Sequence, residues 1–250
     1  MNTVFIITVI TAVVSYLIGS VNFSILISKA ISGKDIRESG SGNAGATNML
    51  RTHGKKMAII TLLCDIAKGI LAVLVAILGV KYLYPTAYVT PFRLNVMPDS
   101  YPLDTFYPGT NAGWLSFALP CIAGLFVMLG HCFPVFFGFK GGKGVATALG
   151  VVMTLDWKIG IIVLVIALAL MAATRYVSLG SVVAAALFIV LTIVKMFISG
   201  SINPYIIISS ALMGLLVIFR HHANIGRLIH GTENKLSFSS KESASPKEDK

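Results

Sequence analysis

Apolar residues in this chain are gathered into seven runs, separated by short polar segments rich in glycine and basic residues. The runs cover 3–27, 57–80, 112–129, 145–155, 159–173, 177–198 and 204–219. A helix needs about 20 residues to cross the hydrocarbon core of a bilayer. Four runs reach or approach that length and three are short. The pattern predicts seven transmembrane helices, with 145–155 either crossing a thinned region or packed inside the bundle as a re-entrant segment.

The composition excludes an ordinary soluble domain. Hydrophobic residues make up 56% of the chain and charged residues only 12%, whereas soluble domains carry about a quarter charged residues. A soluble fold of this length would have too little polar surface to cover its core. We therefore predict an all-α integral membrane protein.

The polar segments outside the runs predict a simple domain organisation. Residues 1–236 form a single transmembrane domain without an internal repeat. The first run has no basic segment before it and no small-residue cleavage site after it, so we expect it to stay in place as the first span. Residues 81–111 are rich in proline and tyrosine and predict an interfacial external loop. Residues 237–250 are rich in Ser, Lys and Glu and predict a disordered tail.

The distribution of basic residues predicts the orientation. The net charge is +10, and the bases border apolar runs, as in cytoplasmic loops, so nucleic acid is not an expected partner. If all seven runs cross, fifteen of the 20 Lys and Arg residues lie on one side of the membrane and three on the other. The positive-inside rule then places the N-terminus outside and the C-terminus in the cytoplasm. The protein is predicted to be a multi-pass cell-membrane protein, with the three motifs below facing the cytoplasm.

The first motif is the sequence SGSGNAGATNMLR at residues 39–51. Its small residues precede a predicted helix start, where backbone N–H groups can converge on an anion. Ser41, Asn43 and Asn48 supply further hydrogen-bonding groups, and Arg51 can bind a phosphate through two N–H groups. The alternative is a flexible loop that turns the chain back into the bilayer.

The second motif is GHCFPVFFGFKGGKGVAT at residues 130–147. It places two lysines among glycines directly before an apolar helix, an arrangement that suits one anionic group. It is not a Walker A sequence, so nucleotide hydrolysis is not implied. The alternative is a positively charged loop whose glycines only turn the chain. The candidate binding residues are His131, Lys140, Gly141, Gly142, Lys143 and Gly144.

The third motif is RHHANIGRLIHGTENK at residues 220–235. On a continued helix, the candidate catalytic residues His221 and Asn224 share a face, with Arg220 and Arg227 alongside as candidate substrate-binding residues. An imidazole near an amide and a guanidinium suits proton handling beside a phosphate. The alternative is a basic helix end that reaches the interface. No metal is expected, because the histidines have no supporting Cys or carboxylate cluster.

One acidic and one basic residue lie within the second apolar run. Asp65 and Lys68 are one helical turn apart, so we expect a structural ion pair rather than direct catalysis. Lys195 lies near the outer end of its run, where a long side chain can reach the interface.

The three motifs, in this order and spacing, resemble the bacterial membrane-embedded acyl-phosphate:glycerol-3-phosphate acyltransferase family. The resemblance covers nearly the whole chain and departs from it only at residues 81–111 and after Leu236. It implies a seven-span enzyme that transfers a fatty acyl group from acyl phosphate to the 1-hydroxyl of glycerol 3-phosphate. The products are lysophosphatidic acid and phosphate, in phospholipid biosynthesis. No cofactor is implied, and the partners are the two substrates and the lipid bilayer.

The resemblance also implies roles for individual residues. Ser41, Arg51 and the lysine–glycine loop belong to substrate binding. Asn224 and a histidine of the third motif are tied to activity, and Glu233 holds the site together.

These roles lead to a hypothesis for the chemistry. Lys140, Lys143 and the glycine N–H groups hold the acyl phosphate, while Arg51 and Ser41 hold glycerol 3-phosphate with help from Ser178. The attacking hydroxyl loses its proton either to His221 or to the oxygens of the acyl phosphate itself, the second being favoured.

Other functions can be weighed against this one. An organic-anion transporter also uses glycines in broken helices, but its site lies at the midplane and its halves often repeat. Acyltransferases that use coenzyme A thioesters commonly contain His-x-x-x-x-Asp, which is absent from this sequence. Phosphatidyl-alcohol transferases need several aspartates for metal ions. A structural anchor would leave the motifs unexplained.

Overall fold

The computed structural model describes residues 3–83, 111–200 and 202–236. Within these ranges all regular secondary structure is helical, which confirms the predicted all-α class. Most of the predicted external loop and the whole of the predicted tail lie outside the described residues. Nine α-helices are described: α1 Thr3–Ser20, α2 Phe23–Ser32, α3 Ala46–Leu83, α4 Asn111–Cys132, α5 Val145–Leu155, α6 Trp157–Thr174, α7 Val177–Ile198, α8 Pro204–Arg220 and α9 His222–Ile229.

Each predicted apolar run lies within helices, but the run at 3–27 is divided between α1 and α2, and α3 begins well before residue 57. Five stretches are long and apolar enough to cross a membrane, and α8 with α9 would make a sixth if this pair, bent by 58°, counts as one span. Helix α5 is apolar but has only 11 residues, about 16 Å of helix. The chain is therefore a multi-pass membrane protein. The count of seven crossings and the orientation stay predictions.

Two helix pairs approach each other closely because glycines line their contacts. A Cβ atom at Gly19 of α1 would collide with the Val127 carbonyl of α4, and one at Gly130 of α4 would collide with the Tyr16 carbonyl of α1. Gly69 of α3 and Gly150 of α5 face each other's helices in the same way. Small residues at such positions let membrane helices pack closely. Beyond these pairs, α6, α7 and α8 pack in succession, and α8 returns against α4.

A buried lysine supports the break between α1 and α2. The Lys68 ammonium donates to the carbonyl oxygens of Gly19, at 3.1 Å, and Val21, at 2.8 Å. It also lies 2.9 Å from the Asp65 carboxylate, so the predicted ion pair is present. Carbonyls left without helical partners thus receive donors inside the apolar bundle, where an unpaired polar group is costly.

A second ion pair supports the break between α5 and α6. Asp156 accepts a hydrogen bond from the Ile159 N–H at the start of α6. Its other oxygen lies 2.6 Å from the Lys195 ammonium of α7. The sequence predicted that Lys195 would extend to the interface, whereas the structure pairs it with this helix cap.

Candidate active site

All three motifs line one cavity of about 1480 Å³. Its polar end is strongly positive, because seven basic side chains and two carboxylates, those of Asp65 and Glu233, contribute to its wall. The basic residues are Arg37, Arg51, Lys55, Lys140, Lys143, Arg220 and Arg227. Such a wall favours anionic ligands.

The first motif is shaped by Asn48. Its side-chain N–H₂ group donates to the carbonyls of Ile36 and Ser39, each at 3.0 Å, and its oxygen accepts from the Ser41 N–H at 2.8 Å. The side chain is 1% exposed. Asn48 was predicted to bind substrate, but its amide group is fully used in folding the glycine loop, so in this structure it shapes the site.

The remaining polar groups of the first motif face the cavity. Ser41 and Arg51 are exposed and Asn43 is half-buried, and all three contribute to the cavity wall. The Arg51 guanidinium makes no hydrogen bond or ion pair with any residue that the structure describes. It is therefore available for an anion.

The glycines of the second motif have a packing role. The Gly141 N–H donates to the Cys132 carbonyl and the Gly142 N–H to the His131 carbonyl, both at 3.1 Å. Both N–H groups thus have backbone partners in this structure, so we assign no anion contact to them, and the role of the two glycines in substrate binding stays a prediction. A Cβ atom at either glycine would also strike the end of α4. The glycines are needed because the loop folds directly onto that helix end.

Arg220 clamps the same loop. Its guanidinium donates to the carbonyls of Gly141, at 3.2 Å, and Gly142, at 3.0 and 3.2 Å. It also lies over the Phe133 ring, 5.2 Å from the ring centre. Arg220 was predicted to bind substrate; here its donors are directed at the loop backbone.

The start of α5 offers N–H groups to an anion. Helix α5 begins at Val145, and the N–H groups of a first helical turn have no carbonyl partner within the helix. Gly144, with a φ of 84°, turns the chain into this helix. Lys143 precedes this turn, and Lys140 is exposed at the rim of the cavity. Burial lowers the pKa of Lys143 to about 8, with nearby guanidinium groups adding to the shift and Glu233 opposing it.

The third motif forms a connected set of hydrogen bonds around Glu233. The Lys143 ammonium donates to Asn224 Oδ1 at 2.5 Å, and Asn224 Nδ2 donates to the Glu233 carboxylate at 2.6 Å. Ser178 at the start of α7 and Arg227 on α9 donate to the same carboxylate, at 2.9 and 2.7 Å. Burial acts to raise the pKa of Glu233, but these hydrogen bonds lower it below its usual value. Glu233 thus joins α7, α9 and, through Asn224, the second motif.

His221 is oriented by the backbone. Its Nδ1 lies 2.7 Å from the Val217 carbonyl, so Nδ1 carries the proton and Nε2 is the second ring nitrogen. The residue is 3% exposed and contributes to the cavity wall. No pattern in the sequence indicated this orientation.

His131 lies deeper, against the buried ion pair. Its Nδ1 is 3.5 Å from the Asp65 carboxylate, and its ring abuts Gly142. At 3% exposure it has little surface for a ligand. Its predicted role in substrate binding stays a prediction. Within the described ranges, no three His, Cys, Asp or Glu side chains are grouped as metal ligands are.

The other end of the cavity is apolar. Side chains from α3, α5, α6, α7 and α8 line it, among them Leu62, Val152, Leu168, Phe188 and Met213. The cavity therefore joins an anion-binding end to a hydrocarbon-lined end, which is the shape that a phosphate-bearing lipid requires.

Arg37 is the main site residue that sequence reasoning missed. It lies on the 3₁₀ turn Ile36–Glu38, outside the first motif as defined, and bridges to the second motif. The only feature of the sequence that pointed to Arg37 was its position just before a glycine-rich segment.

Comparisons with known proteins agree with this geometry. The sequence model of a family described as Glycerol-3-phosphate acyltransferase matches residues 9–231. A glycerol-3-phosphate acyltransferase of Bartonella henselae is 41% identical, with 89% of each chain covered. One of Shouchella clausii is also 41% identical, over 90% of this chain and 94% of the relative.

Solved structures show the same relationship. The crystal structure of PlsY (YgiH), an integral membrane glycerol 3-phosphate acyltransferase, in its glycerol 3-phosphate form is similar with a TM-score of 0.71 and 32% identity. It covers 92% of this chain and 96% of that one. The lysophosphatidic acid form of that protein gives a TM-score of 0.67 and 30% identity, with the same coverage.

Proposed function

Because this chain belongs to the glycerol-3-phosphate acyltransferase family, and so is an acyltransferase that forms lysophosphatidic acid, we propose that its acyl donor is an acyl phosphate. The single observation that supports the donor is the cavity itself. Basic and polar side chains from the first and second motifs line its polar end, and the cavity continues between apolar side chains. Two phosphate-bearing substrates, one with a fatty chain, match that arrangement.

The reaction needs one bond exchange and one proton transfer. The 1-hydroxyl oxygen of glycerol 3-phosphate attacks the acyl carbon, and the bond between that carbon and the phosphate oxygen breaks. The hydroxyl proton leaves with the phosphate, and an ester remains. An acyl phosphate is an activated anhydride, so the protein mainly positions the reactants and stabilises charge.

The two phosphoryl groups are assigned to two sets of donors. Lys140, Lys143 and the first-turn N–H groups of α5 hold the acyl phosphate. Arg51, Ser41 and Asn43 hold the phosphate of glycerol 3-phosphate. The first set lies around the start of α5, and the second belongs to the exposed first motif. Because the two sets share no residue, each can bind one phosphate.

Ser178 lies at the start of α7 and contributes to the cavity wall. Its hydroxyl proton is directed at Glu233, so its oxygen can only accept a hydrogen bond from a substrate hydroxyl. In this role it orients the glycerol backbone rather than attacking it.

The phosphate oxygens of the donor take the hydroxyl proton, because the leaving group must acquire a proton in any case. His221, held by the Val217 carbonyl, orients the acceptor through Nε2. Loss of an essential base costs about 10²–10⁴ in rate. We expect His221→Ala to lose less than this and to keep the wild-type pH dependence of kcat; a larger loss with a flattened profile would assign the proton to His221.

The apolar end of the cavity holds the acyl chain, and the polar end faces the cytoplasm. The concentration of basic residues on the side of the motifs supports this orientation. The enzyme then takes glycerol 3-phosphate from the cytoplasm and places lysophosphatidic acid, an early intermediate of phospholipid biosynthesis, in the membrane.

The decisive experiment compares donors. Purified protein is given acyl phosphate or acyl-coenzyme A of the same chain length, with labelled glycerol 3-phosphate, and lysophosphatidic acid is measured. We expect lysophosphatidic acid to form with acyl phosphate as the donor and not with acyl-coenzyme A. Arg51→Gln is the control for enzyme-dependent product, since this exposed side chain has no partner among the described residues and its loss should leave the fold intact. Product from the thioester alone would refute the donor assignment.

A further inference from the structure

A guanidinium outside the three motifs ties the second motif to the first. Nη1 of Arg37 donates to the carbonyl oxygens of Phe137, at 2.8 Å, and Lys140, at 2.9 Å. Arg37 itself stands on the 3₁₀ turn that leads into the first motif. One side chain therefore connects segments about 100 residues apart in the sequence.

Asp35 holds this guanidinium in place. Its carboxylate accepts from Arg37 Nε at 2.9 Å and from Nη2 at 2.8 Å, and also from the Arg37 backbone N–H at 3.0 Å. The paired, planar geometry is one that Lys cannot reproduce. The hydrogen bond from Arg37 is the main reason that the pKa of Asp35 lies below its usual value, so the carboxylate stays charged.

The loop between residues 137 and 142 needs such support. Gly138 has a φ of 65°, and Phe139 has a φ of 59°, which is uncommon for a residue with a side chain. Arg37 binds carbonyls at the start and middle of this loop, and Arg220 binds the next two, those of Gly141 and Gly142. Four carbonyl groups therefore point at two guanidinium groups.

The direction of these carbonyls has a consequence for the anion site. The carbonyls of residues 140–142, which lie nearest to α5 in the chain, are directed at guanidinium groups, so these three oxygens are not left free to repel a phosphate at the start of α5. Lys143 and the first N–H groups of α5 follow this loop directly in the chain, so the conformation of the loop determines where they lie.

We propose that Arg37, held by Asp35, is a positioning residue that fixes the 137–142 loop and thereby the anion-binding start of α5. The inference rests on the proposed function only in assigning the acyl donor to this loop. The Nε, Nη1 and Nη2 groups of Arg37 all donate to oxygens of the protein. Arg37 therefore acts through the loop rather than on the substrate.

The experiment compares three single-substitution variants of the whole chain with wild type. Arg37→Lys keeps the charge but loses the paired geometry, Arg37→Gln loses both, and Asp35→Asn weakens the hold on the guanidinium. Lys29→Gln is the matched control, because Lys29 lies 3.6 Å from the same carboxylate but its side chain is 51% exposed and makes no bond to the loop. Thermal unfolding of each variant shows whether the fold is retained.

The kinetic result should separate the two substrates. We expect Arg37→Lys and Arg37→Gln to lower kcat/KM for the acyl donor on the order of 10–100-fold, since small displacements at an active site have effects of this size. The KM for glycerol 3-phosphate should change much less, and Lys29→Gln should resemble wild type. An Arg37→Lys variant with wild-type kinetics would overturn the proposal, because charge alone would then be sufficient.

Hydrogen exchange gives a second readout that does not depend on the donor. Peptides covering residues 133–147 should exchange faster in both Arg37 variants than in wild type or in Lys29→Gln, with the rest of the chain unchanged. If wild type fails to use acyl phosphate but this local exchange still rises, the proposed donor is wrong and the positioning role stands. Unchanged exchange in the loop would refute the positioning role.

Discussion

At the residue scale, Asn224 connects the Lys143 ammonium, whose pKa is lowered, to the Glu233 carboxylate. Its oxygen accepts a hydrogen bond from the Lys143 ammonium, and its N–H₂ group donates one to the Glu233 carboxylate. Turning the amide around would break both hydrogen bonds. The amide therefore sets where the Lys143 ammonium stands. This explains why an amide, which cannot itself act as a base, belongs at the centre of the site.

An exchange of the two groups tests this arrangement. Asn224→Asp should cost most of the activity, because its carboxylate faces that of Glu233. Adding Glu233→Gln returns a donor–acceptor pair with the order reversed, and we expect it to recover a substantial part of kcat/KM. Steady-state kinetics on the two single variants and the double variant form a double-mutant cycle. Simple additivity of the two losses would show that the groups do not interact.

The pKa of Lys143 predicts a pH dependence. It is lowered from its ordinary value to about 8, so the ammonium is charged below that pH and is lost as the pH rises through it. The anion site then loses a positive charge, and kcat/KM, which reports groups of the free enzyme, should fall above about pH 8. Lys143→Arg should keep its charge and move the decline to higher pH. Rates measured from pH 7 to 9.5 with identical profiles for both proteins would contradict this.

The types of residue at the site could be read from the sequence, but their bonding partners could not. Arg51 and Lys143 were predicted to bind anions, and both face the cavity. Asn48 and Gly142 looked equally suited, yet their polar groups are used inside the loops. Composition and spacing cannot show which N–H group already has a carbonyl partner, because that depends on how distant segments meet.

At the element scale, the short helix α5 is fixed at both ends. Its start carries the N–H groups that we propose bind the acyl phosphate, and its end leads to Asp156, which pairs with Lys195 of α7. Along its length, Gly150 and Gly69 allow it to lie directly on α3. The position of the anion site therefore depends on helix packing as well as on the loop before it.

Two glycines of α3 allow a direct test of that packing. Gly69→Ala places a methyl group against the Thr147 carbonyl of α5 and should cost about 1–3 kcal/mol. Gly79→Ala lies in the same helix with open space around it and should be neutral or stabilising by up to about 1 kcal/mol. Thermal unfolding in detergent compares them. Equal effects of the two changes would mean that the α3–α5 contact does not position α5.

Hydropathy was sufficient to locate the helices but not their interruptions. Six of the seven predicted apolar runs are helical throughout, including the short one at 145–155, and the run at 3–27 is divided between α1 and α2. The break before Phe23 and the non-helical backbone at Gly54, with a φ of 82°, were not predicted. Both depend on polar contacts and backbone angles that leave the hydrophobic pattern unchanged.

At the scale of the whole molecule, segments from opposite ends of the chain form one cavity. The family membership predicted from the three motifs is confirmed, and so is the multi-pass helical class. The shared cavity requires all three motifs to be on the same side of the bilayer. Because α5 is too short for a simple crossing, the side of the membrane on which the motifs lie has to be measured directly.

Cysteine labelling in intact cells provides that experiment. In a background with Cys64, Cys121 and Cys132 replaced by alanine, single cysteines are introduced at the exposed positions Lys34, Phe139 and His230. We expect none of the three to react with a membrane-impermeant maleimide until the cells are permeabilised. Lys158→Cys, on the predicted outer side, should react at once. Reaction of any of the first three in intact cells would disprove a common cytoplasmic site.

Glu233 follows every described hydrophobic helix in the chain. A polypeptide that lacks Glu233 and the residues after it therefore still contains these helices and can insert them into the lipid. Asn224, Ser178 and Arg227 would then lack the carboxylate that gathers them. We therefore expect membrane insertion and catalytic competence to be separable, so that a chain truncated before Glu233 reaches the membrane but has no activity.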